Sequence, residues 1–245
     1  LAHRVTTWQM TAEQRLFTYP LLAYAGKTIL GEYPDEPYER LKASVRETIG
    51  AVDETDVAIL AKACEKPYLL RSPLYFLHDT IVRRNVNFED EYKDVLLLSD
   101  LLKSVKIKND IVDSIIYRVE RTKLYYEELI INQDIIDMRS GIRYADMKKA
   151  EEKLKKIKEK LLLQYDEQYA LWAKCRRGVP TSILDDEKER VIKDVDMLIE
   201  EAKRAEFGKE TVLNMHVLLP DNSTCRRVDI TVKYTDGTEK KLPCA

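Results

Sequence analysis

One register constrains this chain more than any other feature. From Val112 to Cys175 its residues can be written in a single heptad frame over about nine heptads. One seam position holds Val112, Val119, Tyr126, Gln133, Ser140, Met147, Leu154, Leu161, Gln168 and Cys175. The other holds Ile115, Thr122, Leu129, Ile136, Arg143, Ala150, Ile157, Gln164 and Leu171. A narrow apolar seam on a long helix is buried against other helices, not around a substrate. Ser140-Gly141 interrupts the frame, and Arg143 lies on the seam just beyond it. Glycine and a charged seam residue together predict a kink or turn between Met138 and Tyr144, so two long helices are expected. The stretch from Ile142 to about Ala173 is the clearest coiled-coil candidate.

The remaining elements follow from local signals. Thr11-Ala-Glu-Gln14 resembles a capping box, and Leu16 to Tyr24 gives a short helix bent or broken at Pro20. Pro37 opens a helix that Gly50 closes. Asp53 caps the next helix, with Val57, Leu60, Ala61 and Cys64 on its apolar face. A helix near Pro73 and another from Phe88 to Leu102 complete a compact N-terminal helical domain, 1–105. The long helices occupy 106–208. Ser182 is the expected cap of the final helix, which runs to Glu206 and is closed by Gly208. Its stripe of Leu184, Val191, Ile192, Val195, Leu198, Ile199 and Ala202 suits an αα-hairpin with the preceding helix. The tail, 209–245, changes period. Val228, Ile230, Val232 and Tyr234 alternate with polar residues, which is the pattern of a half-buried strand. Thr211 to Leu219 and Lys240 to Leu242 are its expected neighbours in a small antiparallel β meander. The fold class is therefore mainly α with a small C-terminal β meander.

Composition agrees with solvated helices: charged residues make up 34% of the 245 and only seven glycines are present. A net charge of −2 gives no global attraction to nucleic acid or anionic membrane. The most apolar run, Leu16 to Leu30, is interrupted by Thr18, Pro20, Gly26 and Lys27, so no membrane insertion is expected. The start at Leu1 leaves a processed N-terminus and a shorter piece as open alternatives.

No residue pattern specifies a catalytic, cofactor or metal site. Cys64, Cys175, Cys225 and Cys244 are far apart without C-x-x-C spacing, which suits reduced thiols. His3, His78 and His216 sit on unrelated elements. There is no nucleophile elbow and no glycine-rich phosphate loop. The run with Lys148, Lys149, Lys153, Lys155, Lys156 and Lys158 is interleaved with Glu151, Glu152 and Glu159, the pattern of a solvated helix face rather than a phosphate patch. Arginine pairs and 14 tyrosines are too scattered for a nucleic-acid stacking groove.

One segment carries a resemblance. Lys66-Pro67 is followed by Pro73, Phe76, Leu77, His78, Asp79, Ile81 and Val82, with Leu74 in place of a first aromatic. This resembles the calponin-like domain of the microtubule-interacting intraflagellar-transport family. The resemblance covers residues 66–82; the family's later Lys-Pro and Ala-Gly-His pattern is absent here. It implies a calponin-like N-terminal bundle that attaches to tubulin or to partner subunits, followed by coiled coil.

The expected function is a non-enzymatic helical scaffold or adaptor subunit of a multi-protein assembly, cytoskeletal or ciliary. The alternative is an accessory subunit of a large mitochondrial complex. An enzyme without a readable motif is a third class. Leu154, Ile157 and Leu161 on the second long helix, with Val228, Ile230 and Val232 in the tail, are the candidate interaction residues. The expected partners are other protein subunits, tubulin among them, with no cofactor and no nucleic acid.

Overall fold

The computed structural model describes residues 16–32, 35–50, 53–66, 88–175, 180–209, 230–233 and 239–242. Among them are seven helices: α1 (Tyr19–Leu30), α2 (Pro37–Ile49), α3 (Glu54–Cys64), α4 (Phe88–Leu102), α5 (Asp110–Ser140), α6 (Met147–Cys175) and α7 (Ser182–Arg204). Residues 1–210 form one unit and 211–245 another.

Most helix ends follow their local chemistry. The Asp53 carboxylate accepts from the amides of Thr55 and Asp56 and caps α3. Asn109 caps α5 through the amides of Ile111 and Val112. Gly50 closes α2 in the left-handed region at φ 72°. Three ends differ from expectation: Ser182 is the first residue of α7, and Thr181 stands at its N-cap without a side-chain capping bond. The break before α1 falls at Thr18, and Pro20 sits in the first turn of the helix, where its missing amide costs nothing. At the other end, α7 stops at Arg204 because Ala205 is already extended, and Gly208 turns the chain three residues later.

The predicted break between the long helices is a complete termination. Gly141 adopts φ 72°, and its amide and that of Ile142 return to the carbonyls of Met138 and Asp137. Arg143 does not lie on a seam. Its guanidinium is largely exposed and pairs with Asp134 and Asp137 at 2.5 and 3.2 Å.

The described helices form three cores, the smallest of them Leu16, Leu171, Trp172 and Leu184. The first gathers Leu41, Val45 and Ile49 of α2, Val57 and Leu60 of α3, Val95 and Leu98 of α4, and Val112, Ile115, Val119 and Tyr126 of α5. Asp56, itself buried, fixes the entry to α5 by accepting from the amides of Lys106 and Ile107 at 3.0 and 3.1 Å. The Asn109 side chain donates to the Ile49 carbonyl at 3.0 Å. The second core joins α5, α6 and α7 through Leu124, Ile131, Ile135, Leu154, Ile157, Leu161, Val195 and Leu198.

The nine-heptad frame is therefore two frames. On α5 the expected seam is buried only as far as Leu129; Gln133 is exposed. A second stripe, Tyr117, Arg121, Leu124, Ile131, Ile135 and Met138, is buried on another face. On α6 the frame holds. Ala150, Leu154, Ile157, Leu161, Gln164, Gln168 and Leu171 are all buried.

In the tail, β1 (Ile230–Lys233) pairs antiparallel with β2 (Glu239–Leu242), Ile230 opposite Leu242 and Val232 opposite Lys240. The described ladder has two strands, and the expected first strand of the meander, 211–219, lies outside the described residues. The segment 67–82 that carries the family resemblance also lies outside them.

Candidate interaction groove along the long helices

Beside the apolar second core, α5, α6 and α7 also meet through a polar layer. Arg121, Tyr165, Gln168 and Glu187 are all at most 4% exposed. The Arg121 Nη2 donates to the Tyr165 hydroxyl at 2.9 Å, and that hydroxyl donates to Glu187 Oε1 at 3.3 Å. The guanidinium also lies 4.9 Å from the Tyr165 ring centroid. One turn away the Tyr117 hydroxyl donates to Gln168 Oε1 at 3.2 Å. These pairs run in opposite directions along the two helices and so fix an antiparallel register. Burial pushes the Tyr165 phenol well above its usual range, so it stays neutral. Burial, with the charge of Asp194 added, pushes Glu128 up to about 7, and the Arg121 charge opposes this. Arg121 Nη1 and Gln164 Oε1 are buried without a hydrogen-bond partner. The network binds three helices together, which is costly unless it is held in place by the surrounding core.

Beside this layer runs an open groove of about 580 Å³ between α5 and α6. Its lining includes Asp113, Ile116, Tyr117, Glu120 and Leu124 from α5, and Lys160, Leu163, Gln164, Glu167 and Leu171 from α6. Lys160 also lines a second cavity of about 340 Å³, with Tyr92 of α4, Glu127 and Ile131 of α5, and Lys153, Lys156 and Ile157 of α6. The two adjoin at Lys160, the residue their linings share, and are taken together below as a trough. From Asp113 to Ile131 it follows about 27 Å of α5, and from Lys153 to Lys174 about 31 Å of α6, at ~1.5 Å per residue.

The α6 wall is itself a heptad stripe: Lys153, Lys156, Lys160, Leu163, Glu167, Ala170 and Lys174 recur at three- and four-residue spacing. It flanks the buried seam and faces outward. Leu163 is 65% exposed, an unusual position for a large apolar side chain on a helix so rich in charge.

Both signs of charge line both cavities: Asp113, Glu120 and Glu167 with Lys160 and Lys174 in the first, and Glu127 with Lys153, Lys156 and Lys160 in the second. At one end Asp113 faces Glu167, whose carboxyl is raised by burial and by the Asp113 charge. At the other end stand Lys153, Lys156 and Lys160. None of the three forms an ion pair with a described residue, whereas Lys155 pairs with Glu151 and Lys158 with Asp196, both at 2.6 Å. Lys174, at the Asp113 end, also lines the groove and pairs with Asp110 at 2.9 Å.

Leu154, Ile157 and Leu161 are at most 2% exposed and pack within the chain's own second core, where they hold α6 to α5 and α7, and Ile157 also lines the second cavity. Ile230 and Val232 lie in β1, and Val228 is outside the described residues. Cys64 is buried in the first core, where burial pushes its thiol up to about 12. The three histidines fall outside the described residues. No helix among the described residues is long and apolar enough to cross a membrane. Comparison with family models, curated proteins and solved structures gave no match.

Proposed function

We propose that this chain is a non-enzymatic helical scaffold or adaptor subunit of a multi-protein assembly, and that it seats a partner's helix in the trough between α5 and α6. The carrying observation is the trough's shape. It is long, open and shallow, with an apolar floor of Ile116, Leu124 and Ile131 between charged rims. A length of about 27 Å matches five helical turns of a partner. A compact small-molecule site would enclose its ligand rather than run along two helices. Helix-in-groove docking uses this geometry, with apolar anchors at three- and four-residue spacing.

The local resemblance of residues 66–82 supports placing such an assembly on the cytoskeleton or in the cilium. A photo-crosslinker carried on Leu163→Cys tests the adaptor reading in native cells. The expected result is a crosslink to a helical segment of another subunit, in an assembly that contains tubulin-associated proteins. A chain recovered only as an uncrosslinked monomer refutes the reading. Mitochondrial subunits in place of tubulin-associated ones refute the cytoskeletal placement alone.

A further inference from the structure

We infer that the cavity of about 340 Å³ between α4, α5 and α6 binds an amphipathic organic anion: a phosphate or carboxylate head held by Lys153, Lys156 and Lys160, on an apolar body seated against Ile130 and Ile157. The inference goes beyond the adaptor reading and does not depend on it.

The lysines carry the argument. They recur at spacings of three and four residues, so they share one face of α6, and like charges at that spacing destabilise a helix. Lys153 and Lys160 have no acid three or four residues away in either direction; those positions hold lysine, alanine, isoleucine, leucine and glutamine. Lys156 has Glu152 and Glu159 within that spacing, yet none of the three lysines forms an ion pair with a described residue. Lys155 and Lys158 do find acids, and neither lines the cavity.

The facing wall offers one acid. Glu127 of α5 lines the cavity, and the Tyr92 hydroxyl donates to its Oε1 at 3.3 Å. Three ammonium groups against one carboxylate leave an excess of positive charge in a concave place, and a bound anion offsets it. The floor is apolar, with Ile131 beside Ile130 and Ile157. Such a floor gives nothing to a hydrated inorganic ion and favours a head that carries an apolar body. The volume falls at the lower end of the range of about 300–1,000 Å³ for small-molecule sites.

The same features disfavour other occupants. A cation would meet three lysines. A neutral apolar ligand would leave the repulsion among them in place. A nucleic-acid backbone running on from this cavity would meet Glu120, Glu167 and Asp113 in the adjoining groove.

The test is calorimetric titration of the full chain with decyl phosphate, decanoate, decanol, decyltrimethylammonium and inorganic phosphate. At roughly 50 mM salt, where charge pairs are only partly screened, one or both amphipathic anions should bind about tenfold more tightly than the other three probes. The tighter of the two identifies the head as phosphate or carboxylate. Combining Lys153→Gln, Lys156→Gln and Lys160→Gln should weaken that anion by about tenfold. Combining Lys148→Gln, Lys149→Gln and Lys155→Gln changes the charge equally on the same helix and should leave its affinity within about twofold. All six positions are exposed, so both variants should keep the parent's melting transition. Lys156→Gln alone should show a smaller loss of the same sign, which keeps the test decisive if the triple variant melts early.

Binding of neither anion, equal binding of decanol and the anions, or equal losses in the two lysine triplets overturns the inference. None of these outcomes bears on the Leu163 crosslink, so failure of the anion site and failure of the adaptor reading are read separately.

Discussion

Replacing Tyr165 with Phe isolates the polar layer between the long helices. The ring remains, so its packing and its place under the Arg121 guanidinium at 4.9 Å are kept. Only the hydroxyl is lost, and with it the 2.9 Å bond from Arg121 Nη2 and the 3.3 Å bond to Glu187. A hydrogen bond to a charged group contributes about 1.5–3 kcal/mol, and a buried group left unsatisfied costs about as much again. Arg121 already has Nη1 without a partner. Its second terminal nitrogen would lose the hydroxyl too. Both bonds belong to one network, so their losses do not simply add. The expected destabilisation is about 3 kcal/mol, a melting shift of roughly 6–12 °C for a unit of this size. The phenol stays neutral across ordinary pH, so the loss should be the same at pH 6 and pH 9. Urea melts at both values check it, with Arg121→Met as the second arm of a double-mutant cycle. A Tyr165→Phe loss below about 0.5 kcal/mol, or full additivity with Arg121→Met, would refute the reasoning that this hydroxyl joins the helices.

Leu161→Ala, at a site 2% exposed against Val195 and Leu198, should cost about 2–4 kcal/mol, and an unchanged urea midpoint would count against the α6–α7 packing. Glu128→Gln should act through pH. The folded carboxyl titrates at about 7 against an ordinary 4.5, so the folded state holds its proton longer and stability falls as pH rises between those values. The Gln variant should therefore gain about 2 kcal/mol over the parent at pH 8 and little at pH 4.5, and a pH-independent difference would sink the assignment. Gly141→Ala should cost about 2 kcal/mol, because the position has φ 72° and a Cβ there would meet the Gly208 Cα at 3.0 Å. The bond from the Gly208 amide to the Met138 carbonyl should open with it, which faster amide exchange at Gly208 would report and unchanged exchange would contradict.

Much of the helical layout was legible because its signals are local. Pro37 with Gly50, and Asp53 before Glu54, each state where backbone groups find partners, and the structure uses each as written. The α6 frame was legible for a different reason. One side of that helix is buried along most of its length, and a single stripe gives a clean period. The α5 helix is buried on two faces, against the N-terminal core and against α6 and α7. Its second stripe includes Arg121, and Arg118 is buried beside it. Arginine counts as polar in any hydrophobic pattern, so these positions looked like solvent. The partners that let Arg121 be buried, Tyr165 and through it Glu187, are distant in sequence.

The trough was illegible for the same physical reason, although half of its signal was present. The spacing of Lys153, Lys156 and Lys160 already puts them on one face, and Leu163, Glu167 and Lys174 continue it. Counted along the helix, the lysines and glutamates cancel and suggest a solvated surface. Counted by contact, they differ: Lys155 and Lys158 are answered by Glu151 and Asp196, and Lys174 by Asp110, whereas Lys153, Lys156 and Lys160 form no ion pair with a described residue. What one helix cannot state is which acids stand opposite. Asp113 meets Glu167 only because the buried layer sets the antiparallel register of α5 and α6. The polar layer and the trough are therefore coupled. A change that slips the register by one turn, about 5.4 Å, would move Asp113 away from Glu167 and misplace the trough's charges while leaving the apolar floor continuous. This gives the buried network a role that its modest contribution to stability does not explain: it fixes where the charges of the trough fall.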